Sequence, residues 1–299
     1  MLLRTLLEKS GLLAQIGETQ ADLDREITSI AYDSRKVEPG SLFVAIEGFT
    51  SDGHDFIDQA IGCGAEALLV SKAIEDKGIT TLQLEDARAA LALLAQAFYG
   101  DPSADLRVVG ITGTNGKTTT TYLLDAILKR AGVKTGLIGT VQTRLDTEVI
   151  ESTRTTPESL EIQSLLSQAR TRGIDTVTME VSSHAIELKR VDALHFTVVA
   201  FTNISQDHLD FHADMDEYFA AKKKLFLDYD AYSRVICMES DEGFELYEEL
   251  KGFYNAVTVW LHTDYDLFAS DEIHNADSSE FVMHWNGTTE RVLLPIPGA

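Results

Sequence analysis

Cysteine is scarce in this 299-residue sequence. The two present, Cys63 and Cys237, stand too far apart to suggest a disulfide framework or a zinc cluster, and they fit a reducing, cytoplasmic setting. Long apolar runs are missing as well. No stretch approaches the roughly 18 apolar residues that a membrane-spanning helix needs. The opening segment 1–16 breaks its leucines with Arg4, Glu8 and Lys9, so it reads as an amphipathic helix and not as a signal peptide. Prolines number five, and neither a repeat nor a low-complexity segment is visible. With 44% apolar and 24% charged residues, these absences exclude fibrous and disordered chains and leave a soluble globular protein of about two domains.

Basic charge is the third shortage. Forty-eight acids face 25 bases, for a net charge of -23, which repels nucleic acid and anionic lipid, so neither is expected as a partner. The imbalance is uneven. Residues 1–100 carry 16 acids and 8 bases, residues 101–200 carry 12 and 11, and residues 201–299 carry 20 and 6. A polyanionic ligand would need a local concentration of Lys, Arg and backbone N–H groups, and only the nearly neutral middle third offers one.

Around Pro102, the sequence Tyr99-Gly100-Asp101-Pro102-Ser103 follows an Ala/Leu-rich helical stretch and precedes an apolar run, the composition of a domain boundary. Residues 1–103 and 104–299 are therefore expected to form separate domains. In the first, 41–46 and 67–70 read as strands and 55–63 as a helix, a small α/β unit. In the second, 108–111, 135–139, 176–181 and 197–201 are β-rich runs separated by helical patterns. This is the rhythm of a mostly parallel sheet covered on both faces, in which ligands bind at the carboxyl ends of the strands.

The strongest chemical signal follows the first of those runs: Gly113, Thr114, Asn115, Gly116, Lys117, Thr118 and Thr119, with a helix after them that carries Leu123, Leu124, Ile127, Leu128 and Ala131 on one face. Strand, glycine turn, Lys-Thr and helix make a phosphate-binding loop (P-loop). Its N–H groups converge on phosphate oxygens, the helix dipole and Lys117 add positive charge, and Thr118 offers a hydroxyl to Mg²⁺. The spacing is the short G-x-x-G-K-T, since Ile111 stands where the longer pattern has its first glycine. Glu180 follows the β-rich stretch 176–179 and is a Mg²⁺ candidate, because a carboxylate at the end of a neighbouring strand holds the metal in P-loop proteins. Past the fourth run lies His208, by composition a capping or core histidine, since Mg²⁺ prefers oxygen ligands.

On a helix over 216–226, Tyr218, Phe219, Lys222, Leu225 and Phe226 share one sector, which puts Lys222 on the apolar face. A lysine there must snorkel, find an anion or lose its charge. A neutral amine also reacts with CO₂ to give a carbamate, whose negative charge binds Mg²⁺.

Taken together, these residues resemble the Mur ligases, the ATP-dependent amide-forming enzymes of peptidoglycan assembly, and among them the members that add the third residue of the stem peptide. The matching stretches run in family order: Asp33-Ser34-Arg35, Gly40-Ser41-Leu42-Phe43-Val44-Ala45, Asp52-Gly53-His54-Asp55-Phe56-Ile57, the P-loop, Thr155-Thr156-Pro157, Glu180-Val181-Ser182-Ser183-His184, Asp207-His208-Leu209-Asp210 and Ala220-Ala221-Lys222. The resemblance implies an α/β fold in which a small N-terminal domain that binds the uridine nucleotide precedes an ATPase domain. It implies that Ser34 contacts that nucleotide, that Thr155, Thr156, Ser182 and Arg190 hold the muramoyl-peptide, and that residues Gly113 to Thr119 bind ATP. Thr118, Glu180, His208 and a carbamylated Lys222 would serve Mg²⁺, with Lys117 and Lys222 catalytic. At Leu188, where some members have a polar substrate contact, the pattern departs.

The activity so implied adds a diamino acid, meso-diaminopimelate or L-lysine, to UDP-MurNAc-L-Ala-D-Glu through an acyl phosphate, in the cytoplasm and in a monomer. Family members continue past a Leu-Pro-x-Pro-Gly stretch into the rest of the central domain and a C-terminal domain that binds the amino acid, whereas this sequence stops at Ala299. The expectation is a fragment lacking that domain, with the central domain incomplete, that binds its ligands and turns over poorly or not at all. Two rivals remain: a folylpolyglutamate synthetase, against which stand Gly-Lys-Thr-Thr and the Asp33-Ser34-Arg35 region, and a non-catalytic nucleotide-peptide binding protein.

Overall fold

The structure, a computed structural model, describes residues 1–16, 22–48, 51–152, 154–206, 211–252, 255–260 and 265–296. The chain opens with two short helices, α1 (Leu3–Lys9) and α2 (Leu13–Ile16), where one amphipathic helix was expected. Gly11, at φ +72°, turns the backbone between them. The break lets Leu3, Leu6, Leu7 and Leu12 all reach the core beneath.

A four-stranded parallel sheet follows, in the order β1 (Ser29–Ala31), β2 (Ser41–Val44), β3 (Ala65–Val70) and β4 (Thr80–Gln83). Strand β2 is buried at every position because apolar clusters lie on both faces of this sheet. Helix α3 (Ile57–Gly62) covers one face and α4 (Ala87–Tyr99) the other. Asp86 caps α4 by accepting from the Arg88 and Ala89 amides. Gly100, left-handed at φ +72°, ends it just before Pro102.

Among the described residues the larger sheet has eleven strands: β5 (Arg107–Thr112), β6 (Thr135–Ile138), β7 (Thr143–Leu145), β8 (Glu148–Ile150), β9 (Thr176–Glu180), β10 (Phe196–Phe201), β11 (Ala231–Cys237), β12 (Ala256–Trp260), β13 (Leu267–His274), β14 (Ser279–Trp285) and β15 (Thr288–Leu294). Their order is β15-β14-β13-β12-β11-β10-β5-β9-β6-β7-β8. The run from β13 to β6 is parallel, and antiparallel hairpins extend both edges. The chain moves outward from β5 to β6 in one direction and from β10 to β12 in the other, so strand order reverses beside β5. In parallel sheets that reversal opens a crevice at the carboxyl ends of the strands.

The remaining helices are α5 (Lys117–Arg130), α6 (Ser159–Thr171), α7 (Ser183–Glu187), α8 (Met215–Leu227) and α9 (Asp241–Leu250). One face of the sheet is packed tightly. Val199, Phe201 and Ile236 meet Phe219 and Phe226 of α8 and Leu246 and Leu250 of α9. The other face carries α5, against β5, β6 and β9. Farther along that face, in the register that pairs Ile111 with Ala200, Ala200 with Val235 and Val235 with Val257, these last three residues are only half-buried. Both faces carry helices, as expected from the sequence, but the cover on the α5 face thins beyond β5 among the described residues. Helix α5 differs correspondingly from its expected pattern. Its buried positions are Thr121 and Asp125, while Ile127, on the expected apolar stripe, is 65% exposed.

Helix α6 joins the two sheets. Leu160 packs against the N-terminal core, Tyr32 donates to Glu161 at 2.8 Å and Lys36 does so at 3.1 Å. At its far end Arg170 donates to the carbonyls of Tyr99 and Gly100, each at 2.8 Å.

Asp125 fixes α5 to β6 and β7. It accepts from Thr135 at 2.6 Å and from Arg144 at 2.7 Å, and it pairs with Lys129 at 3.1 Å. Burial by itself would raise its pKa, but the Thr135 hydrogen bond and the two cations outweigh that and hold it below the ordinary aspartate value. A depressed folded-state pKa contributes stability above the unfolded value, about 3.9, that is lost as pH falls through the folded one. Asp125→Asn should therefore cost about 3 kcal/mol at pH 7, because it leaves Arg144 buried without its carboxylate. Urea unfolding at pH 7 and pH 3 should show that difference shrinking in acid.

Candidate functional site

Strand β5 ends at Thr112 and α5 begins at Lys117, leaving four residues to turn the chain. Both glycines in that turn adopt positive φ, +144° at Gly113 and +82° at Gly116. At Gly113 the constraint is steric as well, since a Cβ there would lie 2.0 Å from Thr202 Oγ1 and 2.9 Å from the Asn203 carbonyl. The segment after β10 grips the turn. The amides of Thr114 and Asn115 donate to the carbonyl and side-chain oxygens of Asn203, both at 2.9 Å, and Thr202 Oγ1 donates to the Asn115 carbonyl at 2.7 Å.

Two ammonium groups converge behind the loop. Lys117 Nζ donates to the carbonyls of Gly113 at 2.8 Å and Thr114 at 2.9 Å. Lys222, on α8 and 1% exposed, donates to the same Gly113 carbonyl at 3.0 Å, with its Nζ 4.4 Å from the Tyr218 ring centroid. Of the alternatives open to a lysine on an apolar face, snorkelling is not the one adopted: the ammonium turns inward toward the P-loop. Helix α8 presents it there because Asp214 caps the helix and Tyr218, Phe219, Leu225 and Phe226 bury the same face.

Glu180, also 1% exposed, lies at the end of β9 opposite the start of α5. One oxygen accepts from Thr118 Oγ1 at 2.8 Å and Thr140 Oγ1 at 3.0 Å, and the other from the Thr140 amide at 2.9 Å. Hydroxyl and carboxyl oxygens are hard donors of the kind Mg²⁺ takes, so Thr118 and Glu180 fit that ion. His208 lies outside the described residues. Glu47, Asp52 and His54 also cluster, but Lys72 pairs with both carboxylates, and His54 binds Asp52 at 2.6 Å and the Ser71 amide at 3.2 Å, so those ligand atoms are already engaged.

A cavity of about 630 Å³ holds residues Thr114 to Thr119, Glu180 and Lys222 together with Thr155, Thr156, Ser182 and Arg190. Thr156 Oγ1 donates to the Glu180 carbonyl at 2.9 Å and accepts from the Ser182 amide at 3.2 Å. Ser182 in turn caps α7. A neighbouring cavity of about 610 Å³ is lined by Ser34, which donates to Gln59 at 3.0 Å. Arg154, Leu188 and Arg190 line both cavities, so Ser34 and the P-loop stand in adjoining chambers with a common wall.

Within the described residues, then, the residues singled out from the sequence come together, with Ser34 one chamber away. Gly139, Thr140, Arg154 and Glu158 were missed, and the segment past the fourth run was singled out without a role for Thr202 and Asn203. The last two were legible in principle, since they follow a β-rich run at the same sheet end as the P-loop. The others become neighbours only through β6 and α6.

This arrangement defines a P-loop nucleotide-binding α/β protein with a second, smaller sheet domain at the mouth of its site. The sequence matches the family model for the Mur ligase middle domain over residues 111–299 and that for the Mur ligase family catalytic domain over residues 26–99. It is 41% identical over 289 residues to UDP-N-acetylmuramoyl-L-alanyl-D-glutamate--2,6-diaminopimelate ligase of Alkaliphilus oremlandii, an alignment covering 95% of this chain and 58% of that protein. The chain belongs to the Mur ligase family, and it spans somewhat over half the length of the curated relatives it matches. In fold it is similar to a solved structure of a ligase of the same name, with a TM-score of 0.83 at 22% identity over 99% of this chain and 60% of that one. Likeness to folylpolyglutamate synthetase of Lactobacillus casei is weaker, with a TM-score of 0.53 at 14% identity over 70% of this chain and 57% of that one.

Gly139 supplies the local test. A Cβ there would lie 2.3 Å from Glu180 Oε1, an atom already fixed by the Thr140 amide. Gly139→Ala should displace the carboxyl group, cost about 1–3 kcal/mol and accelerate hydrogen exchange at the Thr140 amide relative to the rest of the sheet. Amide exchange followed by NMR checks this.

Proposed function

We propose that this chain binds ATP with Mg²⁺ and UDP-MurNAc-L-Ala-D-Glu, and that it works in an ADP-forming ligase that adds a diamino acid to that nucleotide-peptide in the cytoplasm. Diaminopimelate, named for the relatives, is favoured over L-lysine. One observation carries the reading: the Ser34 chamber and the P-loop chamber share the wall formed by Arg154 and Arg190. A long ligand with a uridine at one end and a carboxylate at the other suits that layout. Residues 1–103 would then be the nucleotide-sugar domain and 104–299 the ATP domain. The folate alternative leaves the Ser34 chamber without a purpose, and the reading as a binding protein alone leaves the Glu180 and Lys222 arrangement without one.

The chemistry is the attack of the D-Glu γ-carboxylate on the γ-phosphate of ATP, giving an acyl phosphate and ADP, followed by attack of the amine and loss of phosphate. The residues contribute positioning and charge neutralisation. P-loop N–H groups and Lys117 would take the phosphates, with Lys117 exchanging its bonds to the Gly113 and Thr114 carbonyls for phosphate oxygens. Thr118 and Glu180 would hold Mg²⁺, which when bound disperses charge on the transferring phosphoryl group; His208 stays a candidate ligand from the family resemblance. Thr155, Thr156, Ser182 and Arg190 would orient the peptide carboxylate, and Ser34 the uridine. Lys222, already against Gly113, is proposed to act as its carbamate, which would add a negative group to the cavity that Thr118 and Glu180 also line.

Lys117→Ala should weaken ATP binding by about tenfold to a hundredfold, the worth of a charge-assisted contact. Normal affinity by calorimetry would remove the P-loop assignment. In the full-length ligase, Lys222→Ala should lose activity that added bicarbonate does not restore, and unchanged turnover would remove the carbamate. Titration of this chain with UDP-MurNAc-L-Ala-D-Glu, with a folate as control, tests the substrate class: saturable binding of the first alone is the expected result.

A further inference from the structure

Glu158 immediately precedes α6 and occupies its N-cap position, yet its side chain makes no capping hydrogen bond. It is 5% exposed, and both oxygens are given to guanidiniums. One accepts from Arg154 at 2.8 Å and pairs with Arg190 Nε at 2.9 Å, and the other accepts from Arg88 at 3.2 Å. One carboxylate among three guanidiniums leaves an excess of positive charge on the Ser34 side of the wall that Arg154 and Arg190 form between the two chambers, in a protein whose net charge is -23. Burial lowers the pKa of Arg190, Glu158 opposes this, and the Arg154 and Arg88 charges add to the lowering. The cluster is thus costly to assemble and depends on Glu158 to hold it.

Arg88 differs from the other two in origin and in anchorage. It belongs to α4 of the smaller sheet domain, and its guanidinium is also tied to the Glu47 carbonyl, at 3.0 Å from one terminal nitrogen and 3.3 Å from Nε. Held between the Glu47 carbonyl and Glu158, it is braced and not free to follow a ligand. Arg190 additionally donates to the Thr156 carbonyl at 3.2 Å, which connects it to the threonine that bonds Ser182 and the Glu180 backbone.

We infer that Arg88 and Glu158 are positioning residues for the anionic nucleotide-peptide: Glu158, braced by Arg88 from the N-terminal domain, holds Arg190 in the orientation in which it receives the ligand. The inference rests on the substrate reading above. It makes affinity at the P-loop side of the wall depend on a residue of the other domain.

The experiment is calorimetric titration of the chain with UDP-MurNAc-L-Ala-D-Glu, comparing the wild type with E158Q, R88A, R88K, R190A and the R88A/R190A double variant, each checked for folding by its melting curve. Glu158→Gln preserves shape but removes a negative charge. If Glu158 only offset the arginines, an anionic ligand would bind this variant more tightly; as a positioning residue its loss should weaken binding by about tenfold. Arg88→Ala should weaken binding severalfold, with partial recovery in R88K. In the Arg190→Ala background, Arg88→Ala should add almost nothing, because the two act through one group. Unchanged or tighter binding by E158Q, or effects of R88A and R190A that multiply independently, would overturn the inference while leaving the substrate reading intact. Absence of binding by the folded wild type would overturn the substrate reading and this inference with it. Should R88A fail to fold, R88K and E158Q carry the same decision.

Discussion

A buried carboxyl group at the end of a parallel strand is costly to leave without partners, and Glu180 organises the site because its partners come from separate parts of the chain. Thr118 reaches it from the first turn of α5, Thr140 from the segment after β6, and β9 carries it. Gly139 must lack a side chain for the carboxyl to fit. Satisfying one acidic residue thus sets the distance between the P-loop helix and two strands, and with it the width of the crevice where strand order reverses. The loop after β10 closes the other side by accepting the P-loop amides on Asn203.

The smaller domain is held by the same kind of interaction on a larger scale. Carboxylates at the start of α6, Glu158 and Glu161, receive Arg88, Lys36 and Tyr32 from the first hundred residues. Acidic groups at a helix N-terminus are favoured by the helix dipole, so α6 is suited to present them. Arg170 secures the connecting segment at the opposite end of α6. One helix therefore fixes the span between Ser34 and the P-loop, and a ligand reaching both must match a length set by α6.

Helix α5 shows how polar anchoring can outweigh amphipathic pattern. Its leucines and isoleucine suggest a buried stripe, but the helix is fixed through Asp125 to Thr135 of β6 and Arg144 of β7. The face it occupies stays half-exposed across β10, β11 and β12. Packing is concentrated on the opposite face, where three aromatic residues, Phe201, Phe219 and Phe226, meet with ring centroids 6.2 and 6.3 Å apart about Phe201.

Much of this protein was legible without a structure, for a physical reason: local chemistry has local signatures. A glycine turn followed by Lys-Thr needs no distant partner to be read as a phosphate loop, strand-length apolar runs mark a parallel sheet, and helical periodicity alone places Lys222 among aromatic residues. Tertiary structure decided what no periodicity encodes. It aimed Lys222 at the Gly113 carbonyl, joined Arg88 to a carboxylate seventy positions away, split the opening helix at Gly11 and left Ile127 outside the core. Each of those outcomes depends on which surfaces meet across the sheet and between the domains, and that is set by the satisfaction of buried polar groups contributed by separate parts of the chain.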